Sequence, residues 1–151
     1  MTLMHPHASP RPRLGLFVST AMLAALILAP GTTLAQSAQS GTVTPAFHEA
    51  IPNIPGKSIV AVVVTYPPGG KTPAHRHARS AFVTAYVLSG AIRSQVDDGP
   101  VQVFQAGESW SERPGARHTI SENASATEPA KLLAIFVVDT NDTELTTIEG
   151  Q

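Results

Sequence analysis

The sequence predicts an all-β protein, a sandwich or barrel of short antiparallel strands, and three observations carry that expectation. Runs rich in β-branched residues recur at spacings of roughly eight to twelve residues. Turn-formers punctuate them, with 11 glycines and 13 prolines in a chain of 151 residues. No stretch of about ten residues or more repeats its apolar positions at helical spacing.

The N-terminus stands apart from this pattern. Residues 1–13 contain Arg11 and Arg13 and no acid, and residues 14–29 run LGLFVSTAMLAALILA without a charge. Pro30-Gly31 breaks the run, and Thr33-Leu34-Ala35 puts small residues where a signal peptidase reads. A bilayer-spanning helix needs about 20 apolar residues, and this run is shorter. Residues 1–35 are therefore expected to be a cleaved signal peptide rather than a retained anchor, making the mature protein periplasmic or secreted.

Cleavage after Ala35 leaves eight basic against eleven acidic residues, and of six histidines only His48, His75, His77 and His118 remain. A weakly acidic surface gives no electrostatic reason to expect nucleic acid or an anionic membrane as partner. The sequence has no cysteine, which excludes both a disulfide framework and a thiolate metal site. A mature chain of this length closes one small core.

Residues 36–56 read as a polar lead-in followed by a weak first strand, 42–51, interrupted by Pro45 and closed by the turn Pro52-Asn53-Ile54-Pro55-Gly56. Residues 57–66 (KSIVAVVVTY) form a strong strand ended by Pro67-Pro68-Gly69-Gly70. Residues 82–89 make the next, and Gly90 turns the chain into 91–96. Asp97-Asp98-Gly99-Pro100 and Gln105-Ala106-Gly107 bracket a strand at 101–104, and residues 108–112 run to the Pro114-Gly115 turn. Residues 117–122 are a short strand. Residues 131–139 (KLLAIFVVD) are apolar at nearly every position, and their length and paired valines favour a buried strand over a buried helix. The tail, 140–151, shows no pattern and is expected on the surface.

The chemistry concentrates in His75-Arg76-His77. On a strand alternate side chains share a face, so the two imidazoles project together while Arg76 points away. Two imidazoles so placed can chelate one ion, and a third from elsewhere would leave coordination positions open. His118, just beyond the Pro114-Gly115 turn, is the well-placed candidate. The other reading is a set of surface or hydrogen-bonded histidines. Three imidazoles suit one divalent transition metal, Fe, Mn, Ni, Cu or Zn, and disfavour Mg and Ca.

The spacing around these histidines resembles the cupin superfamily. Gly69, five residues and His75-Arg76-His77 match its first motif, which Gly90 closes; Gly107, Gly115 and His118 match its second. The resemblance spans residues 57–139 and implies a double-stranded β-helix, or jelly-roll barrel, around a mononuclear metal. Three positions depart from the pattern. Val83 stands where the motif has a glutamate ligand, Arg113 occupies the proline position with Pro114 following, and Asn123 lies one residue late.

Parity suggests where the missing acid comes from. Trp110 and Glu112 share a face of their strand, and if that face is interior, Glu112 is a carboxylate inside the barrel. A buried carboxylate must be paired, protonated or bound to a cation. Glu112 is thus the candidate ligand or acid/base beside the metal; a solvated acid paired with Arg113 or Arg117 is the competing reading. Val83, Ala85, Val87, Tyr86 and Trp110 are candidate pocket residues, and His48, Arg76 and Arg79 are expected at the surface.

The resemblance implies a metal-dependent enzyme acting on a small organic molecule, with dioxygenase chemistry like that of quercetinase-like cupins first and isomerase or decarboxylase chemistry behind it. The competing class is a non-catalytic protein that captures a small molecule or metal, and a third is a metal-free barrel. By analogy with the same family a homodimer paired through edge strands is expected.

Overall fold

The computed structural model describes residues 40–150. The signal segment expected at 1–35 and the start of the lead-in lie outside the described residues, as does residue 151. Among the described residues there are eleven strands and no helix, and the strands pair into two antiparallel sheets.

One sheet has the order β1-β2-β10-β5-β8: β1 (Thr42–Ala50), β2 (Lys57–Tyr66), β10 (Ala130–Asp139), β5 (Phe82–Ser89) and β8 (Ser109–Glu112). The other has the order β11-β4-β9-β6-β7: β11 (Thr146–Ile148), β4 (His75–His77), β9 (Arg117–Asn123), β6 (Ala91–Val96) and β7 (Gln102–Gln105). The two-residue β3 (Lys71–Thr72) pairs on β9. From β4 onward nearly every connection crosses from one sheet to the other, so neighbours in space are remote in sequence. This is the double-stranded β-helix, and it matches the predicted fold class.

The run at 131–139 is the strand the composition demanded. As β10 it lies between β2 and β5, and Leu132, Ala134, Phe136 and Val138 are buried on its inner face while intervening residues are half-covered. A central strand covered on both faces reads as a nearly continuous apolar run for this reason. Its neighbour β5 contributes Val83, Ala85 and Val87 to the same interior.

The outermost strand behaves differently. All nine residues of β1 are exposed, and its register against β2 shifts between Pro45 and Phe47. Proline has no N–H to give a ladder, so the sheet accommodates Pro45 with a bulge on its edge strand. The predicted interruption is thus a kink within one strand.

Gly90, at the crossing from β5 to β6, has φ +70°, and a Cβ there would lie 2.7 Å from the Pro129 carbonyl oxygen. Only glycine fits this close approach. Gly115 (φ +72°) turns β8 into β9, which brings Glu112 and His118 to opposite sheets within a few residues.

The C-terminal tail lies at the surface, with none of residues 140–150 buried, but it is not without regular structure. Residues 146–148 form β11, which pairs with β4 in the register Thr146 to His77 and Ile148 to His75. Three paired residues are too short for a periodic signature, so the pairing depends on the partner strand and not on local pattern.

Candidate metal centre

The histidines meet because two short strands are paired. In β4 the alternation is strict: His75 and His77 are buried and Arg76 is exposed. His75 lies directly opposite His118 of β9. The ring centroids are 4.9 Å apart for His75 and His77, 5.1 Å for His75 and His118, and 6.1 Å for His77 and His118. One nitrogen of each ring lies within 4.8 Å of those of the other two, close enough for a single ion to gather all three.

Each ring has its other nitrogen engaged outside the cluster. His75 Nδ1–H donates to the Pro73 carbonyl at 2.8 Å, His118 Nε2 lies 2.9 Å from Ser94 Oγ, and His77 Nδ1 lies 3.4 Å from Thr146 Oγ1. Such partners fix the tautomer and orientation of a ligating imidazole. His75 Nε2, His77 Nε2 and His118 Nδ1 remain to face the centre.

Glu112 occupies that centre. It is only 2% exposed, with Oε2 at 2.9 Å from His77 Nε2 and Oε1 at 3.3 Å from His118 Nδ1. Trp110 Nε1–H donates to Oε1 at 3.0 Å and orients the carboxylate. The approach to His77 is short but misaligned for a hydrogen bond, and His77 Nε2 and Glu112 Oε2 are both buried without a hydrogen-bond partner. A nitrogen and a carboxylate oxygen that converge without bonding each other are what a cation would satisfy, so the residues fit a metal.

Glu112 is also the direct cross-strand neighbour of Val83, β8 being paired with β5 at that position. Directly opposed residues have Cβ atoms about 4.5–5.5 Å apart. The carboxylate expected at Val83 is therefore present one strand over, on the same face.

Electrostatics favour ligation. Burial lowers the pKa of His118 to about 4, against the opposing pull of Glu112, and burial likewise lowers His75 despite its bond to Pro73. Both are neutral near pH 7, the state in which imidazole binds metal. For Glu112 burial works in the other direction and would raise the pKa. The contact with His77, the neighbouring His118 and His77 and the Trp110 N–H outweigh it, and the carboxyl ends below its ordinary range. Glu112 is ionised.

These groups sit at the polar end of a cavity of about 320 Å³. Val83, Ala85 and Trp110 line it as expected from sequence, together with Val62, Val64, Leu132, Ala134 and Phe136 of the same sheet. Tyr86 does not. It is 43% exposed and points outward, because its neighbours Ala85 and Val87 on β5 point in; a residue three positions from Val83 cannot share its face. Val87 packs in the core rather than on the cavity wall. His48, Arg76 and Arg79 are exposed.

Several residues at the site carried no sequence signal. Ser94 and Thr146 back the imidazoles, and Ile148 lines the cavity beside Thr146. Tyr66 brings a buried hydroxyl bonded to Thr72 and Ser121. The inward face of β10 was legible from alternation at 132, 134 and 136. The inward face of β11 was not. Asn123, the displaced motif residue, is buried and holds two loops together by donating to the Pro67 and Glu128 carbonyls.

The chain matches the cupin-domain family over residues 62–136. It is similar to the crystal structure of an uncharacterised conserved protein with a double-stranded β-helix domain from Klebsiella pneumoniae, with a TM-score of 0.56, 21% identity, and coverage of 69% of this chain and 82% of that one. It is similar to oxalate decarboxylase from Bacillus subtilis (TM-score 0.56, 19% identity, 75% of this chain and 29% of that one). It is also similar to an oxalate oxidase (TM-score 0.51, 22% identity, 68% and 53%). The chain thus spans about half of the oxidase and under a third of the decarboxylase. No curated protein gives a significant match. Fold, motif spacing and family match agree, and the chain belongs to the cupin superfamily.

Proposed function

We propose that this cupin is an exported, mononuclear metal-dependent enzyme acting on a small organic molecule, with oxygenase-type oxidation as the leading chemistry. The observation that carries the reading is the convergence of three buried imidazoles and one buried carboxylate at the polar end of an apolar cavity. His75, His77 and His118 would hold the ion, with Glu112 as a fourth ligand or as the acid/base beside it. A bound redox-active ion would supply a place where an organic ligand and O₂ can meet. The chain's own residues do the rest. The apolar walls exclude water and strengthen every charge interaction at the polar end. The Trp110 N–H holds the carboxylate in one orientation, and Glu112 Oε2 is free to take a proton from a hydroxyl of the ligand.

The test is oxygen uptake with polyphenol-like compounds after loading the protein with Fe, Mn, Ni or Cu, together with elemental analysis of protein isolated from its native compartment. Consumption that disappears in His118→Ala supports the enzyme. Ligand binding without turnover supports the alternative, a capture protein outside the cytoplasm, for which the apolar walls are equally suited. No retained metal and no gain in thermal stability on adding metal would overturn both.

Export rests on the leader at residues 1–35, and an N-terminus at Gln36 in protein recovered from periplasm or medium is the expected result. A homodimer belongs to the same reading, since β1 is an edge strand with every residue exposed, and sedimentation velocity checks it.

A further inference from the structure

We propose that Tyr66, Thr72 and Ser121 form a second polar subsite in the cavity, which holds a neutral acceptor oxygen (ketone, ester or ether) of the bound molecule. The inference rests on the metal reading only for what the other end of that molecule meets.

The polar lining of the cavity gathers at two places. One is the histidine cluster with Glu112, together with Trp110 and Thr146, which bond to it. Among the described residues, the other polar side chains lining the cavity are Tyr66, Thr72 and Ser121. They meet at one point, with Tyr66 Oη 2.7 Å from Thr72 Oγ1 and 2.8 Å from Ser121 Oγ. Each hydroxyl carries one donor, so two bonds among three hydroxyls leave one O–H uncommitted whichever way the bonds run. Burial pushes the Tyr66 phenol above its ordinary range, which keeps it a neutral donor. An acceptor oxygen on a ligand is what the remaining O–H lacks.

Ser121 faces the cavity because β9 is irregular. His118 and Ser121 are three residues apart, and on a regular strand they would point to opposite faces. Against β6, however, Ile120 pairs with Gln95 and His118 with Val96, which leaves Thr119 as an extra residue. Such bulges re-aim side chains beside binding sites, and here both His118 and Ser121 are buried inward. Thr72 is paired directly with Ser121, so the subsite sits on the same sheet as the imidazoles. At about 3.3 Å per residue, three residues of β9 put the two places roughly 10 Å apart or less. A single ring with oxygen groups at separate positions suits that reach and a cavity of about 320 Å³.

The same bonds tie the two sheets, since Tyr66 ends β2 while Thr72 and Ser121 belong to the other sheet. A tie alone would register in stability and leave ligand selectivity untouched. Titration calorimetry on the zinc-loaded protein separates the two roles. The probes are 4-acetylbenzoate against 4-isopropylbenzoate, and the corresponding 3-substituted pair. Each pair shares its acid and nearly its shape and differs in one acceptor oxygen, so the affinity ratio cancels what the metal contributes. An apolar wall would favour isopropyl about ten-fold or more, because a carbonyl buried without a donor is penalised. The unsubstituted protein is instead expected to bind the acetyl probe at least as tightly in one pair. A ten-fold preference for isopropyl in both pairs, or no binding of any probe by zinc-loaded protein, overturns the inference.

The variant Tyr66→Phe/Thr72→Val/Ser121→Ala removes all three hydroxyls together, so no buried partner is orphaned and stability should change little. In it the acetyl-to-isopropyl ratio should fall about five-fold or more in the pair that the unsubstituted protein recognises. An unchanged ratio, with or without a loss of stability, assigns the hydroxyls to the tie and overturns the inference. Failure of zinc to bind, seen by elemental analysis, would overturn the metal reading instead. Acetophenone against isopropylbenzene then repeats the comparison on metal-free protein, with the same outcomes deciding it.

Discussion

The two sheets face one cavity and contribute opposite chemistry to it. The sheet β11-β4-β9-β6-β7 brings His75, His77 and His118 with the hydroxyls of Ser94, Ser121 and Thr146 behind or beside them. The sheet β1-β2-β10-β5-β8 brings valine, leucine, alanine and phenylalanine, with Glu112 and Tyr66 as its buried ionisable groups at the cavity. One sheet orients donors and the other excludes water. Glu112 crosses that division, since it sits on the edge strand of the apolar sheet and reaches the imidazoles of the other. A carboxylate can be supplied from either of two paired strands, because opposed positions on one face point to nearly the same place.

If the division holds, damage to the apolar sheet should act on stability and damage to the polar sheet on metal. The largest effect is expected for Phe136→Ala. Phe136 is buried and its ring stands 5.4 Å from that of His77. Its removal should cost about 3–5 kcal/mol in urea unfolding of the metal-free protein. Metal affinity should change by less than about ten-fold once folded. A large loss of metal with little loss of stability would break the comparison.

His118→Ala should do the reverse. Metal affinity is expected to fall by more than about a hundred-fold, beyond what loss of an outer partner costs, with stoichiometry read by elemental analysis. Stability of the metal-free protein should change much less than in Phe136→Ala, because the vacated site is already polar.

Glu112 allows the sharpest test. Glu112→Gln preserves shape and removes charge, and metal affinity should drop about 10–100-fold. Moving the carboxylate across the pair, in Val83→Glu with Glu112→Val, should recover most of what Glu112→Val alone loses. Titration calorimetry on the four proteins gives the coupling. Additive losses would mean that the position of the acid on β8 is indispensable. An unchanged affinity in Glu112→Gln would remove it from the site.

How much of this was legible in the sequence follows from how local each signal is. The His-x-His alternation and the Pro114-Gly115 turn are local, and they place three ligand candidates on two strands. Glu112 was reached by counting two residues from Trp110 along one strand. Tyr86 was misplaced because the same count was not applied between it and Val83, which differ by an odd number. What a single sequence does not encode locally is which strands pair, since from β4 onward nearly every connection crosses between sheets. The opposition of Val83 to Glu112 and of His75 to His118 belongs to that class. So does the attachment of the tail.

That tail yields the smallest expected effect. β11 pairs with β4, Thr146 lies opposite His77 with its hydroxyl 3.4 Å from Nδ1, and the Glu149 amide bonds the Ala74 carbonyl. Glu149 then clamps Arg117 of β9, so the strand carrying two ligands is held on both sides. Thr146→Val removes only the hydroxyl at nearly constant volume. If the hydroxyl orients His77, metal affinity should fall by no more than about ten-fold while β11 stays paired, as protection of the Glu149 amide in hydrogen exchange would show. An equal loss of affinity and protection would mean that Thr146 serves only to hold the strand. Unchanged affinity would mean that backbone pairing alone positions His77. In the first case the polar sheet's chemistry extends to its last strand, and in the other two it ends at β4.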